Sequence, residues 1–257
     1  MILIWVIHLV KLPVYTKGVI VMTLSNEELK RRGKAAFKAN FWPCVVATFI
    51  MSLFTTLGTA SAGKMEWVNG EFVRTPPSGA SNMIHFLIGL LITAVIGIGV
   101  ARFYLNNRGR RAQFSDLLCG FREGYANIVL VRLIVKIKII LWSILFIIPG
   151  IIKSFSWAMV PYLLSDDPTM DHKTATQRSA EMMQGNKMKL FMLDLSFIGW
   201  FILGIITLGI GLVLWAAPYH DATIAEWYAE LSGKNDVQSY PGSDVQPYMG
   251  SDSSYYM

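Results

Sequence analysis

The chain has 257 residues, 53% of them hydrophobic and only 16% charged, with a net charge of +6 and a mean hydropathy of +0.44. So little charge cannot clothe a water-facing surface, and the apolar residues fall in long runs, which excludes an ordinary soluble domain and points to a membrane protein. The cations sit beside the apolar runs, so anionic lipid headgroups, not nucleic acid, are their expected counterpart.

Residues 1–21, "MILIWVIHLVKLPVYTKGVIV", break at Lys11 and Pro13, too soon to cross about 30 Å of hydrocarbon. They also lack the basic leader of a signal peptide. Ser25 and Glu28 then have capping-box spacing. Met22 is therefore expected to be the natural start, with 1–21 an upstream extension. Residues 25–40 read as an amphipathic helix carrying Lys30, Arg31, Arg32, Lys34 and Lys38. A first span is predicted over 41–60, with Pro43 near its start, where no intrahelical donor is lost. A polar loop, 61–81, is expected to be partly ordered around Trp67 and Phe72.

The second predicted span, 82–105, carries Gly89, Thr93, Gly97 and Ala101 at intervals of four. Small residues at that spacing share one helix face, where another helix can approach closely. Residues 106–125 are basic and then amphipathic. Phe114, Leu117, Leu118 and Phe121 share a face, which predicts a short helix in the membrane interface, with Arg108, Arg110 and Arg111 reaching lipid phosphates.

The third predicted span, 130–148, holds Arg132, Lys136 and Lys138 toward one end, where long side chains can snorkel. The stretch "LFIIPGIIKSFSWAMVPYLLSDDP" (145–168) is either one bent span or the turn between two. Charge decides. A turn at Pro149-Gly150 puts the N-terminal helix, the segment 102–122 and the loop 165–189 on one side, all rich in Lys and Arg. The single-span reading sends Lys173, Arg178, Lys187 and Lys189 to the other side, against the positive-inside rule. A fourth span is thus predicted over 151–165, with Lys153 touching headgroups just past the turn. Residues 166–188 leave the membrane as an amphipathic helix closed by Gly185. The apolar run 190–219 is about 45 Å long as helix, too long for one crossing. It breaks at Thr207–Gly211 into spans 190–206 and 212–228. The two hairpins resemble each other (Trp157, Pro161-Tyr162 and Trp215, Pro218-Tyr219). An internal repeat and the Trp-rich character of interfacial sequence explain this equally well. The tail, 232–257, is rich in Ser, Asp, Gly and Tyr and is expected to be disordered and cytoplasmic.

The strings "LFIIPGIIKSFSWAMVPYLLSDDP", "ATQRSAEMMQGNKMKLFMLDLSFIGW" and "ITLGIGLVLWAAPY" resemble a bacterial membrane family catalogued as domain of unknown function 975. The resemblance spans roughly Leu24 to Leu231. It implies a multi-pass protein of a bacterial plasma membrane, most typical of Gram-positive organisms, and brings no activity, cofactor or catalytic residue with it.

Cys44 and Cys119 form no CxxC pair, the four histidines lack ligand spacing, and no phosphate-binding glycine loop or nucleophile elbow occurs. No metal, cofactor or catalytic set is expected. Asp194 lies within the fifth predicted span at a depth similar to Arg132, Lys136 and Lys138, so an intramembrane ion pair with one of them is expected. His220 and Asp221 are adjacent on a helix and point apart, so they form no dyad by themselves.

The resulting expectation is an all-α, six-span membrane domain, 22–231, with interfacial helices and both ends cytoplasmic. Its expected role is a non-enzymatic envelope accessory or regulatory protein that binds anionic lipid or a partner, the latter a membrane protein or a second copy of the chain. A transporter using Asp194 and the third-span cations is the alternative, and a lipid-modifying enzyme the third choice.

Overall fold

The computed structural model describes residues 22–59, 64–68, 71–75, 79–109 and 112–234. The expectations for residues 1–21, Arg110, Arg111 and the tail beyond 234 lie outside these. Helix α1 (Asn26–Ala39) starts at Ser25, whose Oγ accepts from the Glu28 N–H at 3.2 Å. Glu28 is held by Arg31 and Arg32, each at 2.8 Å. Burial works against its charge, but those bonds outweigh burial and hold its pKa below the ordinary carboxylate value. The buried face of α1 is Leu29, Gly33, Ala36 and Phe37, while Arg31, Lys34 and Lys38 are exposed.

Asn40 and Asn107 pin the corner where α1 gives way to α2 (Phe41–Thr59). Asn40 Nδ2 donates to Asn107 Oδ1 at 2.7 Å, and Asn107 Nδ2 to the Ala36 carbonyl at 2.9 Å. The bend between α1 and α2 is 98°. Helix α3 (Gly79–Asn106) returns beside α2, with Thr48 bonded to Tyr104 at 2.8 Å. Between them lies a β-hairpin, β1 (Lys64–Val68) and β2 (Glu71–Thr75), which pairs Trp67 directly with Phe72. The rest of the described chain is helical, as the all-α expectation has it, and the hairpin lies where the sequence expects a polar loop with partial order.

A 3₁₀ turn (Phe114–Leu118) and the short α4 (Cys119–Arg122) lead to α5 (Tyr125–Leu145). Leu117 is buried while Phe114, Leu118 and Phe121 stay exposed, so the expected apolar face is only partly used by the core. The chain then reverses at Phe146 (φ −154°, ψ 126°), ahead of the expected Pro149-Gly150. Pro149 sits in the first turn of α6 (Ile147–Ser156), where its missing N–H costs nothing. Gly150 acts by size: a Cβ there would lie 2.7 Å from Ser143 Cα on α5. After a turn at Trp157–Met159 comes α7 (Val160–Asp166), then α8 (His172–Met182), capped by Asp171, whose carboxylate accepts from the Lys173 and Thr174 N–H groups at 2.9 and 3.3 Å.

Helix α9 (Lys187–Ile206) ends in a tight turn with Leu208 and Gly209 at positive φ (55° and 86°), where the sequence expects its break. A π-helical turn (Leu212–Ala216) runs into α10 (Ala217–Leu231). This last helix is the centre of the fold. Tyr219, Ala222, Ala225, Trp227, Tyr228 and Leu231 are buried, largely against α1 and α3.

Among the described residues, two helical stretches are long and apolar enough to cross a membrane: Ile147–Asp166, which is α6 and α7 taken through their short break, and Lys187–Ile206. A third is reached if the bent pair Asn26–Ala39 and Phe41–Thr56 counts as one. The structure is thus helical, apart from one β-hairpin, with two or three candidate spans.

Gly33 is a close helix crossing, because a Cβ there would lie 2.7 Å from Thr223 Cα on α10. Gly33→Ala and Gly150→Ala should each lower the thermal midpoint in detergent, since overpacking costs about 1–3 kcal/mol. Gly199→Ala, with nothing within 4 Å, should leave the midpoint unchanged or raise it by helix propensity. Equal effects at all three positions in a thermal melt would contradict this packing.

Candidate functional site

The α9–α10 hairpin fixes the surroundings of Asp194. Asp194 and His220 each lie thirteen residues from Thr207, so the antiparallel return sets them face to face. His220 Nε2 is 3.0 Å from Asp194 Oδ1, and its Nδ1 is 3.7 Å from Asp221 Oδ1. Phe197 and Phe201 meet the imidazole edge to face at 5.1 and 5.9 Å. One imidazole between two carboxylates, half-walled by aromatic rings, ties α9 to α10. The sequence considered Asp194 and His220 separately. Counting outward from the "TLGIG" turn is the signal that joins them.

The expected partners of Asp194 lie elsewhere. Arg132 projects from α5 toward α3, where Gly97 leaves room: a Cβ at Gly97 would be 3.4 Å from Arg132 Nη2. Its Nε makes no hydrogen bond within the described chain. Lys136 lies within electrostatic reach of Arg132. Among the described residues, no ion pair joins Asp194 to Arg132, Lys136 or Lys138, because the register of its own hairpin gives Asp194 to His220.

On α3, Gly89 and Ala101 are buried, and Thr93 Oγ1 donates to the Gly89 carbonyl at 2.7 Å. Gly97 makes room for a guanidinium. The closest backbone approach on this helix is at Gly99, where a Cβ would sit 2.0 Å from the Leu117 carbonyl oxygen. Gly99 falls outside the four-residue spacing and was missed for that reason.

Arg108 turns inward. Its Nε is 3.1 Å from Glu226, and Nη1 donates to the Lys234 carbonyl at 3.1 Å. It borders a pocket of about 280 Å³ with Arg102, Asn106, Ser165, Asp166 and Lys234. The charges there are matched in pairs: Arg102 with Glu123 at 3.5 Å, Arg108 with Glu226, and Lys234 with Asp166 at 2.7 Å. Tyr228 also donates its hydroxyl to Asp166. Lys153 lies between two rings, 5.4 Å from Trp142 and 5.7 Å from Trp157. Cys44 and Cys119 are free and buried, and burial raises the Cys119 thiol above its ordinary pKa, which makes it a poor nucleophile.

Asp194→Asn should destabilise the protein in detergent by about 1 kcal/mol, the usual size of a lost hydrogen bond. A double-mutant cycle with His220→Gln should show coupling between the two positions, and one with Lys136→Met should show none. Coupling to Lys136 alone would mean that the hairpin register is different.

No curated protein and no solved structure matches the chain. A family match does exist, shorter than the resemblance read from residues 24 to 231. It covers the Phe146 reversal, both returning helices and the polar α8 between them. Residues 144–235 match the family described as "Protein of unknown function (DUF975)".

Proposed function

We propose that the chain is a multi-pass protein of a bacterial plasma membrane. Its role in this reading is accessory or regulatory, and its basic helices hold anionic lipid headgroups or a partner protein. The observation that carries the reading is α9. It is long and apolar enough to cross a membrane. Met188, Met192, Leu195, Ile198, Ile202 and Ile206 form an uncovered apolar stripe along its whole length. Trp42, Val46, Phe49 and Leu53 make a second stripe on α2. Such contiguous apolar faces suit lipid and not water.

The positive-inside rule supports a cytoplasmic position for α1, for the segment 106–125 and for α8, and with them both ends of the chain. Six crossings are the fullest form of this topology. The sidedness itself depends only on each hairpin returning to the side it left. Transport through Asp194 and the third-span cations finds no support in the geometry, since these groups belong to different contacts.

Two measurements test the reading. In a background lacking Cys44 and Cys119, Thr174→Cys and Gly70→Cys should label from opposite sides with an impermeant maleimide, and labelling of both from outside would refute the topology. The purified protein should also retain phosphatidylglycerol over phosphatidylcholine in native mass spectrometry. Replacing Arg31, Lys34 and Lys38 with Gln should weaken that preference at least about tenfold, given about 1 kcal/mol per cation at an anionic surface. An unchanged preference would remove α1 from lipid binding.

A further inference from the structure

The turns of both hairpins are apolar and uncovered. From Ile144 to Ile152 no polar side chain occurs. Ile144, Ile147 and Ile148 are 78%, 74% and 72% exposed. A turn that emerged into water beyond a bilayer would carry polar residues. Below this tip sits Lys153 between Trp142 and Trp157, the residue types that gather at a membrane boundary. Lys187 is within electrostatic reach of Lys153.

Helix α8 runs alongside the base of the same hairpin. Ser179 Oγ donates to the Ser156 carbonyl at 2.9 Å and accepts from the Met159 N–H at 3.2 Å. Lys173, Gln177, Arg178 and Glu181 on α8 are exposed and require water. Beyond Lys138, the last cation of the first arm, Ile139–Phe146 is about 12 Å long at 1.5 Å per residue. The hydrocarbon core is about 30 Å thick.

The second hairpin has its own collar, α1. Asn26 Nδ2 donates to the Lys189 carbonyl at 3.2 Å, Lys30 Nζ to Ser196 Oγ at 3.2 Å, and Phe37 meets Trp215 at 5.2 Å. The exposed cations of α1 keep its outer face in water. Trp200 and Trp215 stand at the base of the tip, 6.1 Å apart. Ile198 to Ile206 projects about 13 Å by the same rise. Leu208, at the turn, is 93% exposed. The one hydroxyl in this tip, Thr207, is satisfied internally: it donates to the Gly204 carbonyl and accepts from the Gly211 N–H, both at 2.9 Å.

We propose that both hairpins enter the membrane and turn back inside it, so that residues 144–148 and 205–210 lie among acyl chains. The surface they fit is an anionic lipid monolayer, with its phosphates at the level of Lys136, Lys153 and Lys187. Turns in hydrocarbon must satisfy their own backbone. These do so to a large extent: Phe146 N–H donates to the Trp142 carbonyl at 3.0 Å, Gly150 to Phe146 at 3.1 Å, Leu208 to Ile205 at 3.0 Å and Gly209 to Gly204 at 3.0 Å. The inference rests on the membrane reading above and replaces four of its crossings with two re-entrant hairpins, leaving the sidedness of every loop unchanged.

Full-length Ile147→Cys and Leu208→Cys proteins, with Cys44→Ala and Cys119→Ala, provide the test. Each is labelled with a fluorophore in detergent and reconstituted in phosphatidylcholine–phosphatidylglycerol vesicles. Lipids carrying a nitroxide on the acyl chain should quench both tips at least about threefold more than aqueous iodide does, as expected for burial below the headgroups. The unlabelled cysteines should resist impermeant maleimide in intact cells and react after detergent. Reaction at either tip from outside the cell would show a crossing hairpin, which overturns this proposal and leaves the membrane reading intact. Iodide quenching at both tips with none from nitroxide lipid would overturn both. Tip-to-tip disulfides between copies, with no lipid quenching, would assign the tips to a second chain and also end the proposal.

Discussion

The contact between Gly33 and Thr223 sets the level of the second half of the chain. A helix bearing exposed Arg31, Lys34 and Lys38 lies against the most deeply buried helix of the fold, at a separation only glycine permits. Cations must reach water, so wherever α1 runs, the neighbouring stretches of α9 and α10 run near water too. Span prediction by hydropathy does not see this, because it scores each segment alone, whereas the usable length is fixed by what packs beside it.

Charge follows the same logic. Arg108–Glu226 and Lys234–Asp166 each close a contact between segments far apart in sequence, and Asp194–His220 closes one between the two arms of a hairpin. A charge removed from water needs a close opposite, and helix ends that converge supply one. Among the described residues Arg132 is the exception: no carboxylate is paired with it, and its guanidinium lies beside Gly97. Lys153 is settled differently, by ring faces on both arms of its hairpin, which suits a cation at a boundary.

Much of this was legible in the sequence. The break at Thr207–Gly211, a return within the stretch 145–168 and the capping role of Ser25 all rest on local chemistry: positive φ, a missing donor, a side-chain acceptor. Non-local facts were not legible. The reversal sits at Phe146 because Gly150 is needed for contact with Ser143 and is not free to be the turn. Asp194 meets His220 because of hairpin register, which depth along a span does not specify. Arg108, read as a headgroup contact, faces Glu226, an acid that lies more than a hundred residues away in the sequence.

The two hairpins also share a construction that the shared letters alone left open. Near each tip a glycine admits the other arm: Gly150 against Ser143, and Gly204 against Leu212. In each, an irregular stretch containing a tryptophan comes before the second straight helix, at Trp157–Met159 and at Leu212–Ala216. In each, proline is the second residue of that helix, Pro161 and Pro218, where its fixed φ favours helix and its missing N–H is harmless. The tyrosine that follows is buried both times, Tyr162 at 8% and Tyr219 at 5% exposure. The tryptophan, proline and tyrosine keep the same order on both returning arms, while the glycines do not correspond, Gly150 following its turn and Gly204 preceding its own. The family match at 144–235 begins at the first reversal and covers its returning arm, the polar helix and the whole second hairpin, while almost all of α5 lies outside it.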